Sequence, residues 1–213
     1  MSWSGHRGGR RGYHHGNLRE ALVDAALALI AAKGPAGFTF AEAARSAGVS
    51  AAAPYRHFRD REALVADVAR RGFERFAAAL EAAWEAGRPE PVAALDRVGR
   101  AYLAFARDEP AYYAAMFQAG IPLDEPELAA AGERAFAVLR RATEAVCAAL
   151  PAERRPPALM VALHVWALAH GVASLFGGPG RRPVPMTPEE LLEAGVLVYL
   201  QGLGLAGGPP PRA

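Results

Sequence analysis

The sequence predicts an all-α protein of about nine helices, a small helix-turn-helix head followed by a larger helical body. Three observations carry that prediction. Apolar residues recur three and four apart in segment after segment, no stretch alternates apolar and polar side chains over the length of a strand, and proline and glycine punctuate the edges of the segments. With 213 residues and 52% hydrophobic content, the chain can bury a real core. Its one cysteine, Cys147, has no intrachain partner and reads as a small buried apolar side chain in a reducing, cytoplasmic setting.

Residues 1–15, MSWSGHRGGRRGYHH, have no apolar period and are rich in Gly and Arg, which predicts a flexible basic arm. The first helix starts after Asn17, a capping residue with Glu20 three positions on, and its apolar side runs Leu18, Ala21, Leu22, Ala25, Leu29, Ala32 until Lys33-Gly34-Pro35 stops it. Thr39-Phe40-Ala41-Glu42 is a capping box opening a short second helix to about Ser46. Ala47-Gly48-Val49 has the composition of a tight turn, with Ala44 and Gly48 small enough for two helices to approach, and Ser50 is placed to cap a third short helix reaching Phe58. Asp60 caps the fourth. There Leu64, Val68, Gly72, Phe76, Leu80 and Trp84 recur every four residues, predicting one helix about 39 Å long that joins head to body. Five more helices follow, near 91–108, 110–117, 126–150, 157–176 and 188–206, most with proline at or near the first turn. A Gly/Pro/Arg loop spans 177–185, and 207–213 reads as a disordered tail. The predicted division is arm 1–15, head 16–61, body 62–206 and tail.

Charge separates the two parts. Residues 1–61 hold nine Lys/Arg against four acids, a net of +5 in a chain whose total is +2, so the remainder carries −3. A basic end on a mildly acidic body points to a polyanionic partner for the head alone. A helix-turn-helix sets its second helix in the major groove, with the first turns on base edges and other groups on phosphates. Here that helix reads Ser50-Ala51-Ala52-Ala53-Pro54-Tyr55-Arg56-His57-Phe58. Proline is tolerated early in a helix, where few bonds are lost, and the alanines offer a narrow surface for close approach and thymine methyls. Tyr55 and His57 are donors for phosphate, and Arg56 suits phosphate or a guanine edge. Arg61, at the first turn of the long helix, is placed to meet a second phosphate, and arm arginines such as Arg10 and Arg11 to enter a minor groove. With the two helix-start hydroxyls included, the DNA-facing set is Arg10, Arg11, Thr39, Ser50, Ala51, Ala52, Tyr55, Arg56, His57 and Arg61.

From Tyr13 to about Val65 the chain resembles the DNA-binding head of the tetracycline-repressor family, through Gly34, Thr39, Ala43-Ala44…Ala47-Gly48-Val49-Ser50 and Tyr55-x-His57-Phe58-x-x-Arg61-Glu62-x-Leu64. Arg61 stands where that family usually has lysine, and Ala43 where it often has a bulky aliphatic. Downstream, Pro110-Ala111-Tyr112-Tyr113-x-x-Met116-Phe117 and Trp166-x-x-x-His170-Gly171 resemble the regulatory domain of the branch named for a Trp-His-Gly signature. The resemblance implies a cytoplasmic homodimer that binds a near-palindromic operator, answers a small-molecule effector, and acts as a repressor, with no cofactor.

Trp166 and His170 lie four apart on one helix face. Two readings stand open: a packed core with a hydrogen-bonded histidine, or the wall of a ligand cavity shared with Tyr102, Phe105, Tyr112, Tyr113, Met116 and Phe117, which suits a mostly apolar effector. His164 and His170 are six apart and do not form a metal pair. The sequence carries no nucleophile elbow, phosphate loop, zinc spacing or paired catalytic acids, so an enzyme reading has no support. A membrane reading does have one feature: residues 156–180 contain no Asp, Glu, Lys or Arg and are long enough to span a bilayer. Two histidines, a Gly/Pro-rich end and flanking arginines favour instead a helix buried in a core or subunit interface, with the last two long helices pairing across a twofold axis as a four-helix contact.

Overall fold

The computed structural model describes residues 18–121, 125–176 and 185–207. Within them the chain forms eight α-helices and no strand: α1 Leu18–Lys33, α2 Phe40–Ser46, α3 Arg61–Trp84, α4 Pro91–Asp108, α5 Pro110–Phe117, α6 Pro126–Cys147, α7 Ala158–Phe176 and α8 Pro188–Gly202. The Asn17 cap, the basic arm with Arg10 and Arg11, most of the predicted 177–185 loop and all but the first residue of the tail lie outside the described residues. The sixth and eighth helices stop short of the predicted Leu150 and Ala206.

The third predicted helix is the one that differs in kind. Residues 51–58 do not make an α-helix; a turn leads into a 3-10 segment, Ala53–Arg56. The cause is Pro54. It has no N–H to offer the Ser50 carbonyl, so that carbonyl accepts from Ala53 instead, three residues on rather than four, at 3.0 Å, and His57 N likewise donates to Pro54 O at 2.9 Å. Ser50 therefore contributes its carbonyl, not its hydroxyl, and no side chain caps the segment. Gly48 also plays a different part from the one its size implied: a Cβ there would meet nothing within 4 Å, and what the position requires is its φ of +73°.

Other local signals hold. Thr39 Oγ1 accepts from Glu42 N at 3.2 Å while Thr39 N donates to Glu42 Oε2 at 2.7 Å, closing the capping box. Lys33 Nζ reaches Glu42 at 2.7 Å and so ties the end of α1 to α2; that bond, with the two from Thr39, draws the Glu42 carboxyl down to about 2. Asp60 accepts from Ala63 N at 2.8 Å and starts α3. The head core gathers Leu22, Val23, Ala26 and Ile30 of α1 with Phe38, Ala43, Phe58, Leu64, Val65 and Val68. From there α3, at 24 residues about 36 Å long, runs on into the body. Its contacts pass to α4, α5 and α6, and Gly72 marks the closest approach: a Cβ there would stand 2.8 Å from Met116 Sδ.

Buried charge also joins α1 to α3. Asp67, 6% exposed, accepts from Arg19 Nη2 at 2.8 Å and Arg70 Nη2 at 2.9 Å on one oxygen, and from Arg71 Nε at 3.0 Å on the other. Arg71 continues to Glu20 of α1, Nη2 to Oε1 at 2.5 Å. Burial pushes the Asp67 carboxyl up, but the bonds from Arg19 and Arg70 and the charge of Arg71 outweigh it, and the net shift is downward from 3.8. A depressed carboxyl stabilises the fold above its unfolded value and loses that contribution as pH falls through the folded one. Asp67→Ala, which leaves three guanidinium groups around a vacant site, should lower the unfolding free energy at pH 7 by about 3 kcal/mol. Urea denaturation at pH 7 and at pH 3 checks this: the gap between variant and wild type should narrow in acid.

Candidate nucleic-acid interface and effector-side core

The 3-10 segment is held from below and bare above. Pro54 and Phe58 are buried, and the Arg19 guanidinium lies over the Phe58 ring at 4.9 Å. Above, Ser50, Ala51, Ala52, Tyr55, Arg56 and His57 are all exposed. The Tyr55 ring, 64% exposed, stands edge-on to Phe40 at 5.0 Å, which fixes the ring while leaving its hydroxyl outward. Arg45, Arg56 and His57 are exposed and make no ion pair among the described residues. Most arginines among the described residues pair with a carboxylate; a face that holds Arg45 and Arg56 without one is set for an outside anion.

Two predicted members of the DNA-facing set have their polar groups engaged within the protein. Arg61 turns inward: Nη1 donates to Pro35 O at 2.6 Å, Nη2 pairs with Glu62 at 3.1 Å, and the guanidinium lies 5.5 Å from the Phe38 ring centre. It braces the α1–α2 connection against the start of α3, and with its side chain 25% exposed it does not present a free cation. Thr39 has its hydroxyl engaged in the capping box. Conversely, Arg45 and Arg59 border the face and were not singled out in the sequence; Arg59 Nε pairs with Asp60 Oδ2 at 2.8 Å. Their signal is local, a cation on the exposed side of α2 and one just past Phe58, and neither lies within the Tyr55-x-His57-Phe58 motif.

In the body, most of the predicted effector residues form one packed cluster. Tyr102 and Tyr113 bring their hydroxyls to His170 Nδ1 at 2.9 and 3.0 Å. Around this polar centre the Tyr102 ring meets Phe76 and Trp166, and Phe117 meets Tyr113, Trp166 and His170 at centroid distances of 4.9 to 6.4 Å. Phe105 joins through Phe76, 5.0 Å away. Burial holds the His170 imidazole below its usual pKa, hence neutral, and raises the Tyr102 phenol. Met116 packs on Gly72 instead, and Tyr112 is drawn away under the Arg75 guanidinium at 5.2 Å. The void beside Tyr102 and Trp166 measures only about 10 Å³, room for one water at most, so in this conformation these side chains are core. A groove of about 270 Å³ lies between α4 and α8, walled by Val92, Leu95, Val165, Val196 and Leu200, with Glu90, Asp96 and Glu193 on its rim.

Two family models match the chain: residues 22–68 fit bacterial regulatory proteins of the tetR family, and 95–199 fit the tetracyclin repressor-like C-terminal domain. Among solved structures, a protein of unknown function from Rhodococcus sp. RHA1 is 32% identical with a TM-score of 0.75, over 91% of this chain and 98% of that one. The TetR family regulator PfmR of Thermus thermophilus is 22% identical with a TM-score of 0.66, over 84% and 97%. AibR, solved with isovaleryl coenzyme A and operator DNA, is 17% identical with a TM-score of 0.65, over 84% and 96%. None of the curated proteins matches the chain.

Removing a phosphate contact flattens the log-log salt dependence of DNA affinity by about 0.9 per contact. Arg56→Ala should show that flattening in gel shifts between low and moderate salt, His57→Ala should weaken binding at every salt concentration, and Arg61→Ala should lower the melting temperature more than it changes the slope.

Proposed function

The chain belongs to the tetracycline-repressor family of ligand-responsive DNA-binding regulators, and from that premise we propose that it acts in the cytoplasm as a dimeric repressor. A small, largely apolar molecule releases it from a near-palindromic operator. Residues 1–15 serve as a DNA-contacting arm, 16–61 as the reading head, and 62–206 as the regulatory and dimerisation body, ahead of a short tail. Within the family we place the chain in the Trp-His-Gly branch, on Trp166, His170 and Gly171 and on the joint contact of Tyr102 and Tyr113 with His170.

The observation that carries the dimer is an uncovered apolar face on the last two helices. On α7, Val161, Ala162, Val165, Ala169 and Val172 are buried, while Leu159, Leu163 and Leu175 on the opposite side are 53%, 53% and 72% exposed. Leu197 and Val198 of α8 extend the surface, and His164 Nδ1 to Tyr199 Oη, 2.8 Å, ties the two helices beside it. Helix α7 is long and apolar enough to cross a membrane. Yet one of its sides is already occupied by the body, so only a stripe remains, which suits a mate of matching shape better than a lipid sheath. Pairing α7 and α8 with their copies buries that stripe in a four-helix contact and sets two heads apart by a fixed distance, as an operator with half-sites about 34 Å apart requires.

The effector acts by preferring one head spacing over another, and α3 carries the difference because it belongs to head and body at once. Leu163→Arg places a charge in the centre of the stripe. On a sizing column it should elute as a monomer where the wild type elutes as a dimer, and its operator affinity should fall by a hundredfold or more, as about 3 kcal/mol of lost second-head binding implies. A dimeric Leu163→Arg protein with undiminished affinity would remove this interface.

A further inference from the structure

The aromatic cluster around His170 is closed, but a recess of about 410 Å³ lies open at the joint between head and body, within the range that holds a drug-sized molecule. One wall is the end of α1, with Ile30 and Ala31; the other is Ala106 of α4, Tyr113 and Gln118 at α5, and Ser174 of α7. The two walls belong to different halves of the protein. Ile30, 2% exposed, is also part of the head core, and Tyr113 holds His170 in the polar centre of the body. None of the described residues lining the recess is charged, and the polar side chains beside it are those of Gln118, Ser174 and Tyr113, the last with its hydroxyl engaged by His170.

We infer that this recess is an effector site for a neutral, mostly apolar molecule with one or two hydrogen-bonding groups, and that an occupant acts as a wedge between α1 and the body. The inference rests on the regulator reading above and assigns it a place and a ligand class. A charged effector would leave its charge unpaired against Ile30 and the alanines, a cost that a hydroxyl or carbonyl meeting Gln118 or Ser174 avoids. The position also gives occupancy a short route to DNA: a molecule that fills the gap presses on α1, which is clamped to α3, and so biases how the head as a unit leaves the body.

The test uses the full chain and the neutral fluorescent probe N-phenyl-1-naphthylamine. Ala31→Trp and Ser174→Trp, each at an exposed position at the mouth of the recess, fill it from opposite walls; thermal melting identifies the folded variants. Wild type should bind the probe saturably, one per chain, and the probe should change wild-type operator affinity by about fivefold or more. Binding should be weaker by about fivefold or more in at least one folded variant. Absence of saturable binding, or a smaller change in both variants, overturns the recess as the site. Loss limited to Val196→Trp moves the site to the α4–α8 groove and overturns the inference equally. Operator binding by wild type without the probe is measured in parallel; its failure would sink the regulator reading itself, separately from the fate of the recess.

Discussion

A single buried carboxylate organises the end of this protein that faces DNA. Asp67 sits on the second turn of α3 and receives three guanidinium groups, one from α1 and two from its own helix. Arg19 is the critical partner because it works on two sides, accepted by Asp67 and laid across Phe58, the apolar anchor of the reading segment. A short 3-10 turn with no side-chain cap has little stability of its own. What holds it in place is Pro54 and Phe58 below, and Phe58 is held through Arg19 to α3. The exposed Tyr55, Arg56 and His57 are thereby carried on a rigid mount, although the turn bearing them is only four residues long.

The same helix makes the head answerable to the body. Along its length α3 is packed against α4, α5 and α6, and at Gly72 the Met116 side chain of α5 comes within 2.8 Å of where a Cβ would stand. One turn earlier on α5, Tyr113 reaches the neutral His170 of α7. A shift in the body is therefore transmitted along packed, mutually locked elements to the α1–α3 clamp, and the head moves with it as a unit. Regulation of this kind needs no flexible loop at the reading face. It needs a body with two arrangements and a rigid beam.

Much of this was legible in the sequence, for reasons that are local. A capping box at Thr39 and Glu42, a cap at Asp60 and prolines at helix starts act within a few residues, so their spacing alone reveals them. The aromatic set was legible too, except that Tyr112 and Met116, next to Tyr113 and Phe117 in sequence, face α3 instead of the His170 cluster, since neighbours on a helix point different ways. Two of the departures share one cause, competition from long-range partners. Arg61 has a carbonyl from the α1–α2 connection and a phenyl ring to satisfy it, and its motif position gives no hint of either. Asp67 reads as an ordinary solvated acid until Arg19 is brought to it from 48 positions away. The shift from α to 3-10 at Pro54 is subtler, because the missing donor was visible, but the chain's choice to tighten the turn depends on burying Pro54 and Phe58 against the head core.

The central claim is that two copies of this head read two symmetric half-sites while their bodies are joined. Hydroxyl-radical footprinting on the DNA flanking the protein's own gene tests it most directly. The account predicts two matching protected patches on one face of the duplex, centred about 34 Å or a multiple of that apart, which persist as salt is raised toward physiological strength. A single unpaired patch, or uniform weak protection that vanishes with modest salt, would contradict it.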